Sequence, residues 1–148
     1  MKSPEKISSE RQAVIAEALT WLKTPYHHAA RVKGAGVDCV QILIAVYQAC
    51  GLVGEVDTGE YVSDWMLHQS DEIYLEGIMK YAHPVEVPLP GDIALYKFGR
   101  TVSHAAIVIE WPLIIHAHRP EKMVTLGEGD KGQLADRLHG FFSVWGNE

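Results

Sequence analysis

The run from Cys39 to Cys50 constrains this chain more than any other stretch. Val40, Ile42, Leu43, Ile44, Ala45, Val46, Tyr47 and Ala49 are apolar on most faces of a helix, and such a helix has to be buried. Asp38 is placed to cap its start, and Gly51 suits its C-terminal cap. Something else in the chain must cover it. Upstream, Val14, Ile15, Ala18, Leu19 and Leu22 follow helical spacing, with Ser9 as the expected N-cap and Thr24-Pro25 as the stop. A third helical stretch is expected from about Ser63 to Tyr81, closed by His83-Pro84. From Pro88 the pattern changes. Leu89-Pro90-Gly91-Asp92 reads as a turn, and strands are expected at Ile93 to Phe98, His104 to Ile109 and Leu113 to His118. Further short strands are expected at Met123 to Leu126 and Phe141 to Trp145. Helices followed by an antiparallel meander give an α+β fold. With 148 residues, 47% of them hydrophobic, the chain suits one domain over residues 1–148.

A formal net charge of −6, with only a weak basic cluster at Arg31 and Lys33, argues against nucleic-acid binding. No segment has the roughly 18 consecutive apolar residues of a membrane span. The start, Met1-Lys2-Ser3-Pro4-Glu5-Lys6, lacks the apolar core of a secretory signal, so the expectation is a cytoplasmic protein as synthesised. A target outside the membrane would then need another delivery route. Cys39 and Cys50 fall on one helix, roughly 16 Å apart in rise, which is beyond disulfide reach.

Cys39 sits where helix N-terminal amides and the helix dipole stabilise a thiolate, and the same amides can donate to an oxyanion. Cys50, among apolar residues near the helix end, reads as packing. A thiol nucleophile needs a base, and His104 opens an apolar strand whose alternation sets His104, Ala106 and Val108 on one face. An orienting partner is available from the next strand. A turn near residues 110–111 brings 104 opposite 116 or 118, and periodicity does not choose between His116 and His118. His27, His28, His116 and His118 also offer a metal-site alternative, without a spaced ligand motif.

Four elements in order carry a family resemblance. Trp21-Leu22-Lys23-Thr24-Pro25-Tyr26 is followed by a glycine-containing loop and Gly36-Val37-Asp38-Cys39. Next come Leu89-Pro90-Gly91-Asp92-Ile93-Ala94, Ser103-His104-Ala105-Ala106-Ile107-Val108-Ile109 and Ile114-Ile115-His116-Ala117. Together they resemble the NlpC/P60 pattern. The resemblance implies a papain-like core with Cys39 as nucleophile, His104 as base and His116 as orienting residue. It places Tyr26 beside the nucleophile at the oxyanion and substrate site, and Asp38 where relatives hold the free amine of a peptidoglycan stem peptide. It implies no cofactor. Val40 and Gln41 stand where the family commonly has Ser-Gly after the nucleophile, so the hydroxyl that Ser offers to substrate is absent. The segment from Tyr26 to Gly34, with Lys97 to Arg100 and Glu110 to Pro112, looks most like the short phage-associated branch.

The expected function is a cysteine peptidase acting on peptidoglycan stem peptides, with the γ-D-glutamyl bond as the candidate. The expected setting is a phage tail or prophage particle that delivers the enzyme to the cell wall, with tail proteins as partners. A non-catalytic tail component and a thiol amidase or acyltransferase are the rival readings. Residues 54 to 88 match nothing in the pattern and read as a helical insertion that walls or caps the groove.

Overall fold

The apolar run is a buried helix because its two ends are closed chemically and its sides are covered. In the computed structural model, which describes residues 2–56 and 73–146, helix α2 spans Cys39–Ala49. Asp38 caps it, one carboxylate oxygen accepting the N–H groups of Val40 and Gln41. At the other end Gly51 adopts φ +72°, Gly51 N–H donates to Gln48 O, and Leu52 N–H donates to Tyr47 O. Those two bonds close the last carbonyls in a Schellman motif.

Helix α1 spans Pro4–Leu19, so it starts earlier than the expected Ser9 cap implies. Its cap is Ser3, whose side chain accepts Lys6 N–H, and Pro4 follows at the first helical position. Ser9, the expected cap, is an exposed residue inside the helix. The helix ends at Thr20 rather than at Thr24-Pro25. Trp21 and Thr24 are then buried under a turn, where Val124 N–H donates to Thr24 O and Lys23 N–H donates to Val124 O. A short hairpin follows, β1 (Arg31–Val32) with β2 (Gly36–Val37). A Cβ on Gly36 would stand 2.8 Å from His27 Cβ, so the strand leading to Cys39 lies against this loop only because residue 36 lacks a side chain.

Helix α3 spans Ile73–Met79; the rest of the third helix expected from Ser63 lies outside the described residues. The remaining strands are β3 (His83–Val85), β4 (Ile93–Phe98), β5 (Thr101–Glu110), β6 (Leu113–His118), β7 (Met123–Glu128) and β8 (Leu138–Ser143). Among the described residues they form one antiparallel sheet of order β3-β8-β4-β5-β6-β7. β4 and β6 match their expected limits. β8 begins three residues earlier than expected and stops at Ser143, so Trp145 is not a strand residue.

Strand alternation divides the sheet into two apolar faces. Ile93, Leu95, Ala105, Ile107 and Ile115 pack with Val14, Ile42, Leu43 and Val46 of the helices. Ala94, Tyr96, Ala106, Val108 and Ile114 pack on the opposite face with Leu134, Trp111 and Phe141. The Pro90-Gly91-Asp92 turn ties the layers together. Arg11 of α1 donates to Asp92 Oδ1 at 2.8 Å and to Pro90 O at 2.9 Å. Tyr47 of α2 donates its hydroxyl to Gly91 O at 2.6 Å. Gly91 sits at φ +91°, and a Cβ there would meet the Trp145 ring at 3.1 Å. That glycine is required by conformation and by space at once.

Candidate active site

Cys39 is the first residue of α2 and is 7% exposed, so the helix places its thiol at a buried N-terminus. The sulfur donates to Ser103 O at 3.6 Å. Ser103 is available there because β5 bulges. Tyr96 pairs with His104 while Lys97 pairs with Val102, which leaves Ser103 as the extra residue on its strand. The bulge therefore turns one carbonyl towards the thiol and sets His104 next to it in the chain. Cys39 and His104 line one cavity of about 410 Å³.

The strand pairing Ile107↔Ile115 and Val108↔Ile114, continued along β5 and β6, puts His104 opposite His118 and one diagonal step from His116. The diagonal neighbour makes the bond: His104 Nε2 and His116 Nδ1 are 2.8 Å apart. His116 is 3% exposed and lies behind His104 as seen from the cavity wall. With Nε2 engaged, Nδ1 is the ring nitrogen through which His104 can exchange a proton. For Nδ1 to accept one, the neutral ring carries its hydrogen on Nε2, which donates to His116. Burial, reinforced by neighbouring His118, pushes His104 down to about 3. Burial and its two histidine neighbours push His116 down to about 2. Both rings are neutral near pH 7. A neutral His104 is a proton acceptor, and its cation gains stability only when negative charge develops beside it.

Asp38 and Tyr26 both line this cavity. Asp38 does more than the resemblance implies. One oxygen caps α2, and the other accepts Ala29 N–H at 2.7 Å, with His28 Nδ1 at 3.9 Å. Ala29 holds φ +62°, an uncommon conformation for a residue with a Cβ, and it is the price of aiming that N–H at Asp38. The amides of Val40 and Gln41, which the sequence offered as oxyanion donors, are turned to Asp38.

His118, the alternative that parity left open and the resemblance passed over, lines the cavity and is stacked on His116 at 4.4 Å between ring centroids. Its Nδ1 meets Glu121 at 3.2 Å, and its buried Nε2 has no partner among the described residues. Sequence reasoning missed two further cavity residues. Phe98 packs edge-on against the His104 ring. Arg137 arrives from an irregular segment with no pattern to announce it. The four-histidine metal alternative is not assembled: among the described residues no group of three His, Cys, Asp or Glu is arranged to hold a metal.

No protein-family model matches the sequence, and no curated protein matches it. Solved structures do. One is a Staphylococcus aureus protein described as similar to lipoprotein, NLP/P60 family: 19% identity, TM-score 0.69, covering 94% of this chain and 42% of that one. Another is the NlpC/p60 domain of the peptidoglycan hydrolase SagA: 22% identity, TM-score 0.60, covering 89% of this chain and 96% of that one. A third is the peptidoglycan hydrolase RipB from Mycobacterium tuberculosis: 13% identity, TM-score 0.66, covering 96% of this chain and 67% of that one. The chain thus spans less than half the length of the Staphylococcus aureus protein. The α+β fold of NlpC/P60 structures is the fold of this chain. No helix among the described residues is long and apolar enough to cross a membrane.

Proposed function

We propose that this chain is an NlpC/P60 cysteine peptidase that hydrolyses a peptide bond in bacterial peptidoglycan stem peptides. The observation that carries the reading is that His104, 2.8 Å from the buried His116, lines the same cavity as Cys39. A structural protein gains little by burying two bonded neutral imidazoles beside a thiol; acyl transfer needs that set. His104 Nδ1 takes the Cys39 proton as the sulfur attacks the carbonyl carbon. The tetrahedral oxyanion is met by the Cys39 N–H and Tyr26. His104 then protonates the leaving amine, and next removes a proton from the water that releases the acid from the thioester. His116 keeps the ring oriented. As a neutral partner it steadies the imidazolium less than a carboxylate does.

The γ-D-glutamyl bond is the candidate bond, and a phage-tail particle that carries the chain to the wall is the candidate setting. Digestion of purified peptidoglycan, with mass analysis of the fragments, tests the reading. Wild type is expected to release stem-peptide fragments that Cys39→Ala does not. Equal release by both proteins contradicts it. The absence of release by either, with both folded, favours a non-catalytic tail component.

A further inference from the structure

The chain as a whole is acidic at −6, but the charge on its cavity has the opposite sign. The lining includes one carboxylate, Asp38, and two guanidiniums, Arg119 and Arg137. Asp38 is the helix cap, its oxygens facing three backbone N–H groups that offset its charge. Arg137 is held firmly at this cavity. Its N–H donates to Leu134 O at 3.1 Å, and its carbonyl accepts Lys97 N–H at 2.8 Å. Its guanidinium carbon lies 4.5 Å from the centroid of the Phe98 ring. Phe98 in turn packs at 84° against His104, with ring centroids 6.0 Å apart. Arg137, Phe98 and His104 form a continuous stack along one wall, ending at the base.

A guanidinium laid on an aromatic face keeps its N–H edges for a planar partner, and carboxylate is the group that matches them in shape and charge. We propose that Arg137, supported on Phe98 and joined by Arg119, is a carboxylate-recognition arm of the Cys39 cavity. Val40 has no hydroxyl to offer a substrate, and this arm supplies an anion contact in the same cavity. The inference rests on the peptidase reading only for what carries the carboxylate: a stem-peptide residue within a few positions of the bond cleaved.

Two thiol reagents test the arm without requiring turnover. Iodoacetate and iodoacetamide each form a sulfur–carbon bond with loss of iodide, and they differ by a carboxylate in place of a carboxamide. The rate ratio of iodoacetate to iodoacetamide at Cys39 cancels thiol ionisation, and dividing it by the same ratio in denatured protein cancels the intrinsic difference between the reagents. The normalised ratio is expected to exceed one. Arg137→Gln is expected to lower it about fivefold while the ratio at Cys50 stays put, and Arg137→Lys to retain part of it. A ratio unmoved by Arg137→Gln, or one that falls equally at Cys50, overturns the arm. If Cys39 reacts with neither reagent, the nucleophile reading fails, and the arm is judged on the Arg137 Nε–H resonance. A shift with acetate but not acetamide supports it; no shift with either overturns it.

Discussion

Two regions of this molecule bury polar groups against the helices, and they treat those groups differently. At the Pro90-Gly91-Asp92 turn, the charges are closed off by the protein itself. Asp92 is 1% exposed, with one oxygen on Arg11 and the other on Leu89 N–H, and the Tyr47 hydroxyl is spent on Gly91 O. Burial pushes the Tyr47 hydroxyl well above its ordinary range. Trp145 covers the assembly, with Arg11 over its ring at 4.3 Å. Cys39, His104 and His116 are buried too, but Cys39 and His104 line a cavity, and the histidines are held in the form that can take a proton. The first region invests its polar groups in holding layers together. The second keeps its chemistry available. Both appear in the sequence as short motifs of similar prominence, so a motif alone does not say which kind it is.

That contrast can be broken by substitution. The largest effect is expected from His104→Ala, which should lower peptide hydrolysis at least about a thousandfold with the urea unfolding midpoint little changed. A lost fold with the lost activity would make His104 a clamp residue as well. Asp92→Ala should do the reverse. Leaving Arg11 buried without its partner is expected to cost about 3–5 kcal/mol in denaturant unfolding, while the folded fraction keeps its activity. His116→Ala should reduce kcat about a hundredfold, with His116→Gln recovering part because its side-chain oxygen can accept from His104 Nε2.

Acid separates the two regions further. His104 and His116 have folded pKa values far below the free-imidazole value, so below about pH 6.5 the unfolded chain binds protons that the folded one refuses. Their contribution to stability is therefore present above that pH and is lost as pH falls towards about 3. Between pH 7 and pH 5 the loss is expected to be about 2 kcal/mol for each ring, and His116→Gln should flatten this slope. A slope the variant leaves unchanged would place the acid sensitivity elsewhere. The smallest effect is expected at Ala29→Gly, which should raise stability by about 0.5 kcal/mol by removing the cost of φ +62°.

Much of the fold was legible because it follows from periodicity. The α2 run, its Asp38 cap and strands β4 and β6 are set by local pattern, and they match. The start of α1 was misplaced because Ser8 and Ser9 imitate a cap, whereas Ser3-Pro4 has the better chemistry. β3 was missed because three residues containing a proline carry no alternation, and the strand exists through its pairing with β8. At the site, parity correctly limited the partner of His104 to His116 or His118. The choice between them depends on a diagonal contact across strands, and no single-strand pattern encodes it. Arg137 reaches the cavity through a segment without regular structure, so only the folded chain brings it beside Phe98.

The central claim is that Cys39 is an acylated nucleophile served by His104. The most direct test is to mix the protein with an activated ester of a stem peptide, quench in acid and locate the acyl group by mass. A thioester is expected on Cys39 alone, absent from Cys39→Ala and formed far more slowly in His104→Ala. Acyl groups shared equally between Cys39 and Cys50, or undiminished peptide release by Cys39→Ala, would contradict it.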